Sequence, residues 1–412
     1  MDYTKPLINL LIIDPQNDFH EGGNLAVPGA TNDSKNIIQF LKRKIASINH
    51  VFVSLDTHTL THIGHAGFWE SEVDQSKPVP FTMFRIVNDK IEGYTLDANG
   101  NVSTKYNYKP TRYTGEDNTT YEERVKKVKK YIKKLIDDKK FTPLIWPTHC
   151  IEGTIGHQVY CPLKTQLDET NKNYSRVDYH IKGQNEWAEM YSIFKAEYPV
   201  EELVELGEEH EDNFDQRDIK KYYRGTQTEF KKTSKIDEPN SDEADGVYLQ
   251  TRFNDSLYGS LTKDGYPIYI CGEALSHCVN WSLRDLVAQL LKDNNTNYVE
   301  NEKLKQGMVV LLIDCSSKVS PPGAEGLFNP QVKDLLEFCN KTNVTVRKST
   351  SDNMLDINTL IKEYTLPPPS NGGSKRTRRA RGGAYKPRTK KSNMRKRKTN
   401  KRKNKKRRNT KK

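Results

Sequence analysis

The sequence predicts an α/β protein. We expect a three-layer α/β/α fold with a mostly parallel central sheet, two insertions and a disordered basic tail. Short apolar segments without polar alternation, typical of strands buried on both faces, alternate along the chain with segments of helical periodicity. Strands and helices in alternation form parallel sheets that are covered by helices on both faces. Charge is segregated, because 22 of the 66 Lys and Arg residues and none of the 54 Asp and Glu residues lie after residue 374.

Five short segments are predicted to be strands. They are Leu10–Ile13, Val51–Leu55, Ile268–Cys271, Val309–Ile313 and Asn343–Arg347. The last of them alternates in polarity, so we expect it at an edge of the sheet. Predicted helices separate the strands and cover Asn32–Ile48, Trp281–Leu291 and Val332–Cys339. The first of these helices begins with Asn32 and Asp33, whose side chains are candidate caps.

Two segments interrupt this alternation. Residues 70–140 contain a basic amphipathic helix, Glu122–Lys140, and residues 197–262 are polar and acidic. We interpret both as insertions that form a lid, an oligomer contact or an irregular loop. A Pro- and Gly-rich linker begins at residue 367, and the sequence after it cannot form a core. The predicted domain therefore spans residues 1–366, and residues 367–412 form a disordered polybasic tail.

The tail predicts a polyanionic partner. Without it, the chain has 44 basic and 54 acidic residues, a net charge of −10. We expect residues 375–412 to bind nucleic acid or another polyanion, with strong salt dependence and without base specificity. A nuclear-import signal is the alternative function, and a solubilising tail is the simplest one. The tail also resembles basic tails on proteins of large DNA viruses.

Cysteine usage and the N-terminus point to an intracellular protein. The six cysteines contain no C-x-x-C pair, which argues against a disulfide framework or a cysteine zinc knuckle. The apolar segment Leu7–Ile13 is too short for a signal peptide or a membrane span. The expected location is the cytoplasm or nucleus, or a virion if the protein is viral. No membrane contact is expected, and a homo-oligomer is left open.

Polar residues with metal-binding chemistry follow the first two strands. Asp14 ends the first strand, at the edge of the sheet where ligands bind, although Asp-Pro is also a common turn. Asp56 and His58, two residues apart, can point the same way and provide ligands for Zn, Fe or Mn. His62 and His65 come next, and His149 follows another apolar segment. One such histidine is usually structural, but two sites of this kind favour a metal.

Cys278 is the candidate nucleophile. It follows a predicted strand and a small-residue turn, at the start of a helix whose dipole favours the thiolate. The turn also offers backbone N–H groups to an oxyanion. Buried cysteines are usually inert, and that interpretation suits Cys271 and Cys315 better. Lys182 follows the strand-like segment Tyr174–Ile181 and, taken alone, would be a solvated charge.

Together these residues resemble the nicotinamidase/isochorismatase superfamily of cysteine hydrolases. The resemblance covers residues 7–195, with one insertion, and 265–350. The matching motifs are D-x-Q-x-D-F from Asp14, D-x-H from Asp56, W-P-x-H-C from Trp146, G-T-x-G from Gly153, Lys182-Gly183 with Tyr191–Phe194, and G-x-A-x-x-x-C-V from Gly272. Two motifs depart from the family pattern: Leu275-Ser276-His277-Cys278 stands where the family has T-D-Y-C, and Thr59 stands where it has a proline.

The resemblance implies an isochorismatase-like fold and a role for each matched residue. Cys278 would be the nucleophile, Asp14 the proton shuttle and Lys182 their cationic partner. The amides of Ala274 and Cys278 would form an oxyanion hole, beside a cis peptide near Glu273–Ala274. The implied pocket walls are Phe19 and Trp146. The implied metal ligands are Asp56, His58 and His149, with His62 as a further candidate, for one divalent ion, Zn first and Fe or Mn as alternatives.

The activity that these roles imply is a metal-assisted, nicotinamidase-like amide hydrolysis. A small amide, heteroaromatic in the family, would be converted to its acid and ammonia through a thioester acyl-enzyme. The departures from the family motifs leave nicotinamide itself in question. Two alternatives are an isochorismatase-like vinyl-ether hydrolase and a non-catalytic, nucleic-acid-associated protein on the same scaffold. The metal motif argues against the first alternative, and the three catalytic candidates argue against the second.

Overall fold

The computed structural model describes residues 7–96, 101–138, 140, 143–199 and 251–365. The strands in chain order are β1 Ile8–Ile13, β2 Ile48–Asp56, β3 Trp69–Ser71, β4 Met83–Val87, β5 Lys90–Leu96, β6 Val102–Pro110, β7 Arg176–Lys182, β8 Ile268–Gly272, β9 Val299–Glu300, β10 Lys303–Leu304, β11 Val309–Leu312 and β12 Thr345–Arg347. The helices are α1 Ala30–Lys44, α2 Asn118–Asp137, α3 Cys161–Asn173, α4 Asp255–Thr262, α5 Cys278–Lys292, α6 Asn329–Thr342 and α7 Ile357–Thr365.

Six strands form the central sheet, in the order β12-β11-β8-β1-β2-β7. All five neighbouring pairs are parallel, which confirms the predicted fold class. The strand β12 lies at one edge of the sheet, as its alternating sequence predicts. The strand β7 lies at the other edge, where its residues alternate between exposed and more buried positions.

Helices cover both faces of this sheet. All six residues of β1 are buried, and their alternation divides them between two cores. Leu11 and Ile13 pack with apolar residues of α4, α5 and α6 on one face. Leu10 and Ile12 pack with residues of α1 and α3 on the other face. This arrangement of helices, sheet and helices is the predicted three-layer architecture.

Helix α1 begins two residues earlier than the sequence predicts. Gly29 is its N-cap and has a φ of 109°, a conformation that glycine adopts without strain. Asn32 and Asp33 are therefore inside the helix and do not cap it. Asp33 is buried in the first turn, and it contacts the turn before α5, as described below.

The first insertion is a folded unit. Strands β3 to β6 form an antiparallel sheet in the order β3-β6-β5-β4. Helix α2 packs on it through Val128, Tyr131, Ile132 and Leu135, which share a core with Trp69 and other apolar residues. Of the three interpretations given for this insertion, the prediction of an irregular loop is therefore wrong.

Two predicted segments lie largely or wholly outside the described residues. They are the tail and residues 200–250 of the second insertion, whose last part forms α4. Within the described part of the chain, every helix is too short or too polar to cross a membrane.

Candidate active site

Four adjacent strands bring the candidate catalytic residues together. The strands β8, β1, β2 and β7 are neighbours in the sheet, and all four end at the same edge because they are parallel. Asp14 directly follows β1, and Asp56 and Lys182 end β2 and β7 in register with each other. Cys278 begins α5, after the turn that follows β8. The order of the strands therefore converts four distant sequence positions into one site.

Lys182 is the hub of this site. Its Nζ lies 3.0 Å from Asp14 Oδ2, 2.8 Å from Asp56 Oδ1 and 3.7 Å from Cys278 Sγ. It also donates a hydrogen bond to the Met190 carbonyl at 2.9 Å. Burial alone would lower the pKa of Lys182, but the carboxylates of Asp14 and Asp56 raise it well above its usual range. The ammonium group is therefore charged, and it connects the three candidate catalytic residues with Asp56.

Asp14 is fully buried and fixed by hydrogen bonds. Ser54 donates its hydroxyl to Asp14 Oδ1 at 2.6 Å, and the Asp14 amide donates to Ser54 Oγ at 2.9 Å. Burial raises the pKa of Asp14, against the opposing charge of Lys182. A carboxylate with a raised pKa is a better proton acceptor than an ordinary one.

The Cys278 thiol does not have the low pKa that its helix position predicts. Burial raises its pKa well above the usual range. The charge of Lys182 lowers this pKa, and the carboxylate of Asp14 offsets part of that lowering. Asp14 lies close enough to the thiol to raise its pKa, and Lys182 Nζ is 3.7 Å from Cys278 Sγ. The expectation of a resting thiolate is therefore wrong, because desolvation dominates over the helix dipole at this depth. The geometry suits a neutral thiol that gives up its proton to Asp14.

The turn before α5 presents main-chain donors to the site. The Glu273–Ala274 peptide bond is cis, where the family resemblance implies it. Cys278 is the first residue of α5, so its N–H has no acceptor within the helix. The Leu275 amide donates to the Ser317 carbonyl at 2.7 Å, and the Val319 amide donates to Ser276 Oγ at 3.1 Å. These contacts fix the turn against the segment that follows β11.

A cluster of three buried histidines lies next to Asp56. Ligand atoms of His58, His65 and His149 are all within 4.8 Å of one another. Asp56 Oδ2 lies 2.9 Å from His58 Nε2 and 3.3 Å from His149 Nε2. The other Asp56 oxygen is bonded to Lys182, so one carboxylate links the histidine cluster to the candidate nucleophile.

His62, the further candidate that the family resemblance implies, lies outside this cluster. Its Nδ1 accepts a hydrogen bond from the Gly64 amide at 3.1 Å, and its Nε2 lies 3.2 Å from the Ala188 carbonyl. Both ring nitrogens are therefore engaged with the backbone. The sequence predicts no ligand role for His65, because His62 and His65 occupy one loop without a periodicity that distinguishes them.

The donor set suits a divalent metal. Three imidazoles and a carboxylate are the ligands that zinc, iron and manganese take. Burial, with the charges of His149 and His58, lowers the pKa of His65 to about 2, so its ring stays neutral as a ligand must. Glu189 faces the same region, and its Oε1 has no hydrogen-bond partner among the described residues. Such an unpaired carboxylate oxygen also suits a nearby cation.

Glu189 is a further residue of this site, and the sequence alone does not predict it. It is fully buried beside His58, and burial raises its pKa to about 7. Its backbone amide donates to the Tyr131 hydroxyl of α2 at 2.9 Å, which holds it in place. The sequence feature that could have indicated Glu189 is its position between the Lys182-Gly183 and Tyr191–Phe194 motifs.

Cys278, His58 and His149 line one small pocket. Its wall is largely aromatic and apolar, and includes Phe19, Leu25, Trp146, Met190, Tyr191, His277 and Val319. Phe19 and Trp146 are thus at the positions that the sequence predicts for pocket walls. The cavity measures about 20 Å³, close to the space of one water. A ring-sized ligand therefore requires the lining side chains to move apart.

Comparison with known proteins gives matches among solved structures. No protein-family model and no curated protein sequence matches the chain. A nicotinamidase/pyrazinamidase from Acinetobacter baumanii is 16% identical, with a TM-score of 0.41, and covers 84% of this chain and 98% of its own. The yeast nicotinamidase bound to the inhibitor nicotinaldehyde is 15% identical, with a TM-score of 0.43, and covers 83% and 100%. A zinc-bound pyrazinamidase from Pyrococcus horikoshii is 14% identical, with a TM-score of 0.35, and covers 83% and 99%.

Proposed function

We propose that the chain is a metal-assisted cysteine amidohydrolase that converts a small amide to its acid and ammonia. The observation that carries this proposal is the position of Lys182 Nζ, which contacts Asp14, Asp56 and Cys278 Sγ together. Buried charges cost several kcal/mol unless they are paired, and this set of charges surrounds a nucleophile at the end of a pocket. A purely structural scaffold has no need of such an arrangement.

Cys278 would act as the nucleophile and Asp14 as the proton shuttle. The Cys278 sulfur attacks the amide carbonyl carbon while its proton passes to the Asp14 carboxylate. The carbonyl electron pair moves onto oxygen, where the amides of Ala274 and Cys278 stabilise it. Asp14 then returns the proton to the nitrogen, the carbon–nitrogen bond breaks, and ammonia leaves a thioester on Cys278. Lys182 keeps the thiol and the carboxylate next to each other throughout.

The second half of the reaction uses the same residues in reverse. A water molecule gives its proton to Asp14 as its oxygen attacks the thioester carbon. The carbon–sulfur bond then breaks, the acid leaves, and Asp14 returns the proton to Cys278. In each half of the reaction Asp14 accepts one proton and returns one, so no proton is gained or lost by the enzyme.

His58, His65, His149 and Asp56 would hold one divalent metal. When bound, the metal supplies a Lewis acid that orients a ring nitrogen of the substrate or a water. The aromatic wall formed by Trp146 and Tyr191 suits a flat ring, so we favour a heteroaromatic amide. The histidine cluster also favours amide hydrolysis over the vinyl-ether alternative, whose family branch typically lacks these residues.

An ammonia-release screen tests the proposal. Nicotinamide, pyrazinamide and aliphatic amides are offered to the wild type, to Cys278→Ala and to Cys161→Ala. Cys161 is the matched control, because it also begins a helix but is exposed and does not line the pocket. We expect Cys278→Ala to lose turnover and Cys161→Ala to retain it. Wild-type turnover by Cys278→Ala would exclude Cys278 as the nucleophile, and no hydrolysis of any amide by metal-loaded wild type would refute the activity.

A further inference from the structure

A pair of buried acids supports the turn that carries the nucleophile. Glu273 lies in this turn and is 2% exposed, and Asp33 lies in the first turn of α1 and is 5% exposed. The two carboxyl groups are neighbours, since each affects the pKa of the other, and Ser317 lies next to both. The mechanism proposed above uses neither acid. Neither of them is among the residues that line the pocket.

Two ionised carboxylates cannot bond to each other, because both are acceptors only. Asp33 Oδ2 and Glu273 Oε2 also receive no hydrogen bond from a conventional donor in the described part of the chain. A single shared proton resolves the conflict, as in other close carboxyl pairs. Burial raises the pKa of Asp33 to about 6 and that of Glu273 well above its usual range, the latter helped by the Asp33 charge.

Among the residues that the structure describes, the titratable groups around the pair supply no counter-charge. Some neighbours shift the pKa of Asp33 or Glu273, and others have their own pKa shifted by one of these acids. They lie in the loop after β1, in β8, in the segment after β11 and in α7. They are Glu21, Cys271, Asp314, Cys315 and Tyr364. These are acids, thiols and a phenol, all neutral or negative. Their presence makes the doubly ionised form of the pair still less favourable.

We propose that Glu273 is a positioning residue, whose protonated carboxyl donates to Asp33 and thereby holds the Ala274–Cys278 turn in its active geometry. The Glu273 amide donates to the Ile13 carbonyl at 2.8 Å, directly before Asp14, so this residue joins the nucleophile turn to the strand that carries the proton shuttle. Loss of the shared proton places two negative charges in contact under the turn. The turn then loosens, and Cys278 and the Ala274 amide lose their alignment. The catalytic part of this inference rests on the proposed function.

Glu273→Gln tests the pair, because an amide keeps the donor to Asp33 but cannot ionise. A raised pKa in the folded state means that the stability from the protonated Glu273 is fully present below pH 4.5 and is lost as pH rises through the folded value. The folding equilibrium constant of Glu273→Gln, divided by that of the wild type, should therefore rise with pH, by up to about tenfold per unit. Asp33→Asn is the second variant, because its amide can donate to an ionised Glu273.

Two further measurements separate positioning from plain stability. Hydrogen exchange of the peptide that contains residues 272–279 should be faster in the wild type than in Glu273→Gln at pH 9, and equal at pH 5. With an amide substrate, kcat of the wild type should fall at alkaline pH while KM stays constant, and Glu273→Gln should not show this fall. Glu197→Gln is the matched control: Glu197 is also buried with a raised pKa, but lies outside the turn. It should leave the exchange and kcat profiles unchanged.

The outcomes are distinguishable. A folding ratio that is constant with pH for both Glu273→Gln and Asp33→Asn would show that the pair shares no proton. The folding ratio could also rise with pH while hydrogen exchange of residues 272–279 stays the same in the wild type and in Glu273→Gln. That result would show that the pair affects stability without positioning the turn, and it would overturn the proposal. Absence of amide hydrolysis would refute the proposed function alone, because urea unfolding and hydrogen exchange require no substrate.

Discussion

His62 and His65 form a matched pair for testing the metal site. Both are buried histidines in the same loop, and the structure assigns them different surroundings. Replacing His62 by Ala leaves the Gly64 amide and the Ala188 carbonyl without their partner. Replacing His65 by Ala removes a partner of the Thr59 carbonyl and of His149. At about 1–3 kcal/mol for each buried group left unpaired, we expect both variants to lose a similar free energy of unfolding, about 2–6 kcal/mol.

Metal affinity should separate the two variants. His65→Ala removes one of three clustered imidazoles, so it should cost at least the roughly 10–100-fold in affinity that loss of an outer partner costs. His62→Ala should change affinity by less than that, because both its ring nitrogens bond to the backbone. The assay is competition with a chromophoric chelator, followed by elemental analysis, with urea unfolding as the folding control. Metal loss in His62→Ala with full binding in His65→Ala would refute the assignment.

Two other predictions concern the basic tail and the buried acid Glu197. A chain ending at Pro369 should lose salt-sensitive DNA and RNA binding in a gel-shift assay and keep ammonia release; unchanged binding would move the site to the domain, with the basic helix α2 as the candidate. Burial raises the pKa of Glu197 to about 8, although Lys140 Nζ lies 3.9 Å from its carboxylate. The contribution of the protonated Glu197 to folding stability is therefore complete below pH 4.5 and is lost as the pH rises through 8. Glu197→Gln should therefore gain stability relative to wild type between pH 5 and 9 in urea unfolding, by up to about 1.4 kcal/mol per pH unit; a constant difference would contradict the shift.

The central sheet was predictable because its strands are buried on both faces. Such strands are continuous apolar segments, and β1, with six buried residues, is the clearest case. The strands of the insertion carry no such signal. The first five residues of β6 are exposed, and the strand contains lysines and tyrosines. Pairing with neighbours, which the sequence does not display, determines that these residues form a sheet.

The candidate site was predictable as far as it depends on strand ends. Asp14 follows one predicted parallel strand and Asp56 follows another, and that rule places both at one edge. Lys182 ends β7, but its role came from the family resemblance, because a lysine taken alone would be a solvated charge. The choice between His62 and His65 depends on the path of a loop, and the position of Glu189 depends on the Tyr131 contact from the insertion. The raised pKa of Cys278 results from burial by the whole fold, while the helix start visible in the sequence predicts the opposite direction.

The first insertion has a consequence for anyone who wishes to shorten this protein. The segment before Trp146 continues the insertion's sheet: Met83 of β4 bridges Leu144, and Ile145 exchanges backbone hydrogen bonds with Phe81 and Thr82. That segment leads directly to His149. Excising residues 70–140 would therefore remove the strand that pairs with the segment before His149, a candidate metal ligand. Glu189 would also lose the Tyr131 hydroxyl that accepts its backbone hydrogen bond. A minimal version of the domain must retain this sheet, or replace it with a designed strand that pairs with residues 143–146.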